Sequence, residues 1–161
     1  GYLLRRYEPA YIVSNLLKFV SVKYNNYNHD DQSLLAEMMF YGKALEFTNK
    51  LLPHAPDSMV IGYTGEELQL CQEFQEIIWA RFIENNLFYI TSSMDKNRYV
   101  GERPNTVEIA DKCPGRVGRW LGWQIVQSYL RENPETSLTE LMQNADAAAL
   151  FQQSRYRPRG S

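Results

Sequence analysis

Apolar residues recur at helical spacing through most of this chain, and the pattern predicts where its helices lie. The segment after Pro9 predicts a first helix, AYIVSNLLKFVSVKY, that runs to about Tyr24. Asp31 is predicted to be the N-cap of a second, long amphipathic helix that ends at Pro53. The apolar stripe of this second helix places Gly42 against the core.

Capping signals mark further helices. The spacing of Thr64 and Glu67 forms a capping box that opens a third helix, GEELQLCQEFQEIIWARFIENN, and its broad apolar face predicts a central position. Ser137 and Asp146 open two short helices near the C-terminus. Residues 87–113 mix β-prone and turn residues, which predicts a long ordered loop or a short extension. The predicted fold class is mainly α, with five to six packed helices.

The segment PGRVGRWLGWQIV, residues 114–126, predicts a helix with an unusual packing role. Pro114 suits the first turn, where a missing N–H costs nothing, and the helix continues to about Arg131. Gly118 and Gly122 lie one turn apart on one face, and each costs about 1 kcal/mol of helix propensity relative to Ala. Close approach of another backbone would offset that loss. A tightly packed core helix and a helix that lines a cleft both fit the pattern.

Composition excludes several classes of protein. The 161 residues are enough for one domain with its own core. The net charge of −2 does not supply the basic surface that nucleic-acid binding requires. No apolar run approaches the roughly 20 residues that span a bilayer. Aromatic residues make up 13% of the chain, which favours polar-tipped grooves and interfaces. The chain opens on Gly1 within a segment that looks structured, as a fragment of a longer protein would.

Candidate catalytic chemistry is sparse. His29 and His54 lie in polar loop segments and are interpreted as solvated side chains rather than metal ligands. Cys71 and Cys113 are too few for a metal framework, and the apolar helical pattern around Cys71 predicts its burial. The chain contains no HExxH, GxSxG or CxxC motif and no phosphate-binding glycine loop. We therefore predict no catalytic residues, no metal site and no cofactor.

Five segments resemble the C-terminal half of the gliding-motility lipoprotein family GldB of Bacteroidetes. They occur in the order that the family shows, and the block P-G-R-x-G-x-W-x-G-W-Q-I-V is specific. The resemblance implies that residues 1–161 form a single helical domain, the C-terminal part of a GldB-like lipoprotein whose N-terminal part is absent. The five segments are FYGKALEFTNKLLP (40–53), IGYT (61–64), CPGRVGRWLGWQIV (113–126), NPETSLTELM (133–142) and SRYRP (154–158).

The GldB family is in turn distantly similar to zincin-like peptidases, whose helices carry HExxH, then EG-x-A, then P-x-R-x-G-x-x-x-G. In this chain the HExxH positions correspond to Ser14, Asn15 and Lys18, and the glutamate expected before the glycine is Tyr41. A catalytic zinc needs imidazole and carboxylate ligands and a glutamate that activates water. The resemblance therefore implies a degenerate zincin-like helical domain, a pseudo-peptidase that keeps the scaffold without the metal.

The resemblance implies a non-catalytic domain of a cell-envelope lipoprotein, an interaction component linked to gliding motility and type IX secretion. Its expected partners are envelope, motility or secretion proteins, with no nucleic acid, and it would meet the membrane only through an upstream lipid anchor on the periplasmic side. The alternatives are a metallopeptidase-like or peptidoglycan-active hydrolase and a structural domain without a ligand. The candidate binding cleft consists of Ser14, Asn15, Lys18, Glu37, Tyr41, Lys43, Arg116, Trp120 and Gln124.

The zincin-like arrangement also predicts which helices meet. The first and second helices should pack side by side, so that Ser14, Lys18 and Tyr41 converge near the N-terminal turns of the Pro114 helix. Glu37 lies one turn before Tyr41 and is expected to pair with Lys18. An aromatic-lined groove would indicate a binding domain, whereas a polarised carboxylate in the largest cleft would indicate an enzyme.

Overall fold

The computed structural model describes residues 4–159, and these residues are arranged mainly in helices. This confirms the predicted mainly α fold class. Within the described range there are nine α-helices and two 3-10 turns, and β structure is limited to an isolated bridge between Asn105 and Pro114. The 3-10 turns are Leu4–Tyr7 and Leu87–Tyr89, and the helices are α1 (Pro9–Ser21), α2 (Leu34–Leu51), α3 (Asp57–Ile61), α4 (Gly65–Glu73), α5 (Gln75–Glu84), α6 (Ser93–Val100), α7 (Val117–Glu132), α8 (Leu138–Gln143) and α9 (Ala147–Ser154).

The core is built around the crossing of α2 and α7, the most extensive helix pair in the fold. Twelve of the eighteen residues of α2 are buried, so this helix is covered on nearly every side. From α7, the side chains of Leu121, Trp123 and Ile125 are at most 1% exposed. Burial of an aliphatic side chain of this size contributes about 1.5–3 kcal/mol. Helix α9 packs against both central helices, and α1 and α6 flank the crossing.

Glycines set the close approach of the two central helices. A Cβ on Gly42 would lie 2.5 Å from the carbonyl oxygen of Gly122, and a Cβ on Gly122 would lie 2.8 Å from the carbonyl carbon of Met38. One turn earlier on α7, a Cβ on Gly118 would lie 3.0 Å from the carbonyl oxygen of Tyr99 on α6. The prediction that Gly118 and Gly122 face other backbones at close range is confirmed, and this packing offsets their low helix propensity.

The predicted start of α7 at Pro114 is wrong. Pro114 lies before the helix, in the bridge with Asn105, and the N–H of Gly115 donates to the carbonyl of Pro104 at 3.0 Å. Arg116 is the N-cap and adopts a left-handed conformation with φ 61°. Few non-glycine residues adopt positive φ, so the surrounding contacts must hold Arg116 there. The segment is therefore a tight turn clamped against residues 103–105, and α7 begins at Val117.

Local capping was predicted well, with one exception. Thr64 and Glu67 form the expected capping box, with hydrogen bonds of 3.1 and 2.8 Å. Ser137 and Asp146 cap α8 and α9 as expected. The predicted N-cap Asp31 is wrong, because the hydroxyl of Ser33 accepts the hydrogen bond that opens α2, and Asp31 accepts from the Ser33 hydroxyl at 2.6 Å.

The predicted third helix and the loop after it differ most from the structure. The helix is divided at Phe74 into α4 and α5, which bury few residues and lie at the edge of the fold rather than at its centre. The segment 87–113 contains helix α6, whose polar sequence SMDKNRYV lacks the apolar periodicity that would have revealed it. Helix α3 was also not anticipated. These differences raise the helix count above the predicted five to six.

Helix α1 lies on α2 and α3 and ends at Ser21, one turn before the predicted Tyr24. Its two buried residues are serines, Ser14 and Ser21. The predicted side-by-side packing of the first two helices is therefore present, but the polar side of α1 makes it. In the part of the chain that the structure describes, no helix combines the length and the apolar character needed to cross a bilayer.

Candidate binding cleft

Two adjoining concave regions lie where α1, α2, α6 and the start of α7 meet. The inner pocket has a volume of about 160 Å³ and the outer cleft about 1310 Å³. They meet at four shared residues, Val22, Phe40, Tyr41 and Arg119. The inner pocket is otherwise lined by Tyr11, Asn15, Lys18, Ala44, Leu45, Ile61, Gly62 and Arg116, and the outer cleft by Asn25, Asn26, Tyr27, His29, Glu37, Ser93, Asn97, Val100, Gly101, Glu102 and Ala145.

The structure brings five of the nine candidate residues to these two regions. Asn15 and Lys18 from α1, Tyr41 from α2 and Arg116 from the start of α7 line the inner pocket. Glu37 lies one turn before Tyr41 and lines the outer cleft. Lys18 and Tyr41 thus converge at the N-terminal end of α7 as predicted, whereas Ser14, which was expected to join them, lines neither region.

Three candidate residues on α1 and α7 lie outside both regions. Ser14 is 1% exposed, and its hydroxyl lies 3.1 and 3.2 Å from the carbonyl oxygens of Met59 and Val60, which ties α1 to α3. Trp120 is buried in the core at 3% exposure. Gln124 is half-buried further along α7.

Lys43 also lies outside both regions. Its ammonium donates to the carbonyl oxygens of Asn26 and Asn144 at 2.8 and 2.7 Å and joins α2 to the loops before it and before α9. Burial lowers the pKa of Lys43 to about 8. Lys43 is two residues from Tyr41, and helical residues at that spacing face different directions. Lys43 therefore contributes to the fold and not to the cleft.

Arg116 forms the floor of the inner pocket. Its guanidinium donates to the carbonyl oxygens of Ile61 and Gly62 at 3.2 and 3.1 Å and lies 5.0 Å above the Tyr63 ring. The Tyr63 hydroxyl in turn donates to the carbonyl oxygen of Gly115 at 2.7 Å. These contacts hold the left-handed turn in place and fix the start of α7 against the end of α3.

Arg119 forms the junction between the two regions. Its Nε donates to the carbonyl oxygen of Val100 at 2.6 Å, and its guanidinium lies 4.2 Å above the Tyr41 ring. The carboxylate of Glu102 forms ion pairs with both arginines. Its oxygens lie 3.4 Å from Nη1 of Arg119 and 3.8 Å from Nε of Arg116. Burial lowers the pKa of Arg119. A rigid aromatic ring backed by a held guanidinium is a common feature of binding hot spots.

Arg119 and Glu102 were missing from the predicted set. Arg119 follows Arg116 by three residues, so the shared helix face was a signal that could have identified it. Glu102 lies in the segment after α6, which was predicted to be loop, and its sequence carries no signal of a role in the site.

The far wall of the outer cleft carries an ion pair. The carboxylate of Glu37 lies 3.1 Å from the ammonium of Lys96, which also donates to the carbonyl oxygen of Gln32 at 2.8 Å. Lys96 is 4% exposed. Glu37 is thus paired with Lys96 of α6 and not with Lys18, the partner that the sequence predicted. The prediction was wrong because the sequence did not reveal α6.

Asn25 supplies a polar group of the outer cleft that is not satisfied internally. Its side-chain amide donates to the carbonyl oxygen of Phe40 at 2.9 Å. Among the residues that the structure describes, its Oδ1 is the buried side-chain atom without a hydrogen-bond partner. An unpaired buried acceptor costs about 1–3 kcal/mol.

The chemistry of the described residues suits binding. No three His, Cys, Asp or Glu side chains within residues 4–159 lie together in a way that could hold a metal ion. Cys71 and Cys113 are buried away from the two regions, and burial raises the pKa of both thiols. The outer cleft and inner pocket instead combine aromatic rings with a stacked guanidinium, which are groups enriched at binding interfaces.

Comparison with known proteins identifies one family. The family model described as gliding motility protein GldB, a lipoprotein family, matches residues 1–158. No curated protein and no solved structure matches the chain. The match supports the sequence resemblance to GldB, whereas the distant similarity to zincin-like peptidases stays a prediction.

Proposed function

The chain belongs to the GldB family of lipoproteins associated with gliding motility, and from this premise we propose that it is a non-catalytic binding domain at the cell envelope. It holds a segment of a partner protein across the outer cleft and the inner pocket. The partner is a component of the envelope, of the motility apparatus or of the type IX secretion apparatus, as the family resemblance implies.

The observation that carries this proposal is the Tyr41–Arg119 pair at the junction of the two regions. The Tyr41 ring and the guanidinium above it lie 4.2 Å apart, and both line the outer cleft and the inner pocket. A segment that runs from one region to the other must cross this pair. Pre-held aromatic and arginine side chains lose little entropy on binding, so they contribute most of the affinity of many interfaces.

The proposed absence of catalysis follows from the groups at the zincin positions. Ser14 donates to backbone carbonyls in the core and is not available to a ligand. Asn15, Lys18 and Tyr41 offer an amide, an ammonium and a phenol to the inner pocket. None of these is an imidazole or a carboxylate, the groups that hold a hydrolytic zinc and activate its water.

Site-specific crosslinking tests the proposal. A photo-crosslinking amino acid at Asn97, which lines the outer cleft, should capture a partner in envelopes of the organism that produces the protein. Tyr41→Ala should lower the yield of that same adduct by about tenfold or more, since truncation of a hot-spot aromatic costs about 2 kcal/mol. Tyr89→Ala is the matched control, because Tyr89 is 64% exposed and lies outside both regions.

Equal adduct yield from the wild-type chain and Tyr41→Ala would refute the binding site. Refutation of the non-catalytic role would come from a different measurement. Chelator-free protein that contains about one zinc per chain and cleaves peptides or peptidoglycan would establish the hydrolase alternative.

A further inference from the structure

Helix α1 presents its apolar side to solvent and its polar side to the protein. Its buried residues are Ser14 and Ser21, whereas Leu16 is 58% exposed and Phe19 is 77% exposed. A surface helix of a globular protein normally has the opposite arrangement. Ser14 holds this side of α1 against the protein because its hydroxyl donates to carbonyls of α3. The hydroxyl of the buried Ser21 is satisfied within α1, where it donates to the carbonyl oxygen of Lys18 at 2.6 Å.

The exposed apolar side is large for a soluble surface. Five side chains between 39% and 77% exposed contribute to it, and together they expose roughly 500 Å², within the upper part of the range for the largest apolar patch on a typical monomer. These five residues, which we call the α1 face, are Ile12, Val13, Leu16, Phe19 and Val20. An apolar groove of about 390 Å³ continues the α1 face from Val20 and is lined by Tyr24, Phe47 and Leu51 among others.

Positive charges border the C-terminal end of the α1 face, whereas the exposed Glu8 precedes α1 at its other end. From Pro9 to Lys23 the sequence has no acidic residue and two lysines. Lys23 is exposed shortly after Val20, and Lys50 is exposed next to Leu51 in the groove. An apolar face bordered by lysines complements an anionic lipid surface. Two copies of the same face would bring like charges together.

In place of the expectation that the domain meets the membrane only through an upstream lipid anchor, we propose that the α1 face lies in the headgroup region of an anionic bilayer, with α1 parallel to the membrane plane. Members of a lipoprotein family carry a lipid anchor, which would hold the domain close to a bilayer. Because tethering raises the effective concentration of lipid at the α1 face, a modest affinity of this face for lipid is enough for contact. The opposite side of α1 carries Asn15 and Lys18, which line the inner pocket. Contact of α1 with lipid therefore sets the height and orientation of the pocket above the membrane.

Vesicle co-sedimentation of the chain tests this contact. The wild-type chain should bind vesicles of phosphatidylglycerol and phosphatidylethanolamine more strongly than vesicles of phosphatidylcholine. Phe19→Glu and Leu16→Glu should each lower the partition coefficient by about tenfold or more, because each places a charge in the apolar layer. Lys23→Gln should lower binding to the anionic vesicles by about fivefold and leave binding to phosphatidylcholine unchanged.

Met94→Glu is the matched control, because Met94 is 74% exposed on α6 and does not belong to the α1 face; its binding should equal that of the wild-type chain. Circular dichroism of each variant checks that the fold is retained, as expected for exposed positions. The proposal is overturned if the wild-type chain does not bind vesicles, or if Phe19→Glu and Leu16→Glu bind as well as Met94→Glu. It is also overturned if light scattering shows a dimer that Phe19→Glu dissociates, since a second copy would then cover the face.

Discussion

The crossing of α2 and α7 predicts that a single methyl group at Gly122 destabilises the protein. In Gly122→Ala the new Cβ would lie 2.8 Å from the carbonyl carbon of Met38 and closer still to its oxygen. Real Cβ atoms essentially never approach within 3.0 Å of such atoms. The contact is with backbone in the middle of a buried helix, so no side chain can rotate away and the two helices must separate.

The magnitude follows from the size of that separation. A radial gap of about 0.5–1 Å forfeits a quarter to a half of each dispersion contact across the interface, and overpacking of a core costs about 1–3 kcal/mol. The change gains about 1 kcal/mol of helix propensity, which offsets part of the loss. Because α2 and α7 form the most extensive helix pair, we expect an overpacking cost at the upper end of this range, about 3 kcal/mol. The net loss is then about 2 kcal/mol, which corresponds to a fall in Tm of about 4–8 °C.

Thermal melts and urea denaturation of Gly122→Ala and Gly65→Ala measure the effect. Gly65→Ala is the control because Gly65 is also helical but a Cβ there meets nothing within 4 Å; this variant should be neutral or more stable by up to about 1 kcal/mol. Gly42→Ala should behave like Gly122→Ala, since its Cβ meets the carbonyl of Gly122. The double variant should cost less than the sum of the two, because the same separation relieves both clashes.

A Tm of Gly122→Ala at or above that of the parent chain would refute the close-packing argument. The same conclusion would follow if Gly65→Ala lost as much stability as Gly122→Ala. In either case the glycine spacing in α7 would need another explanation.

Three further predictions concern buried polar groups. Trp123→Phe should cost about 2 kcal/mol in urea denaturation, because it removes the indole N–H that donates to the buried carboxylate of Glu46 at 2.9 Å; unchanged stability would show that this bond contributes nothing. Burial lowers the pKa of Lys43 from 10.5 to about 8, so between these values the unfolded chain binds more protons than the folded chain. The free energy of unfolding should therefore rise with pH from about 8 to 10.5 relative to Lys43→Met, and a constant difference over that range would contradict the shift. Burial raises the pKa of the thiols of Cys71 and Cys113, so a thiol reagent at pH 8 should label them only after denaturant is added, and rapid labelling of the folded chain would contradict their burial.

The sequence by itself determined those features whose partners lie within a few residues. The capping box of Thr64 and Glu67 and the caps at Ser137 and Asp146 are hydrogen bonds across three residues, so the residue types specify them. The mainly α fold class follows from periodicity along the chain. Glycine spacing in α7 indicated close packing because no other benefit offsets its cost in helix propensity.

Only the tertiary structure decided which side of each helix is buried. Periodicity shows that α1 has an apolar side, and burial of that side is the usual outcome. Here the carbonyls of Met59 and Val60 accept from Ser14, which allows the polar side to face the protein. Those acceptors are 45 and 46 residues away in sequence, so no local pattern could have predicted the reversal.

The candidate cleft also combines contacts that the sequence predicted with contacts that only the tertiary structure decided. Helix spacing correctly related Glu37 to Tyr41, but it placed Ser14 in the cleft beside Lys18, whereas Ser14 is bonded to α3 in the core. It also could not predict that α6 would bring Lys96 to Glu37. The Tyr41–Arg119 pair likewise joins residues on two helices that cross at glycines. Contacts of this kind depend on the distance and angle between helices, which the whole core sets and no single segment encodes.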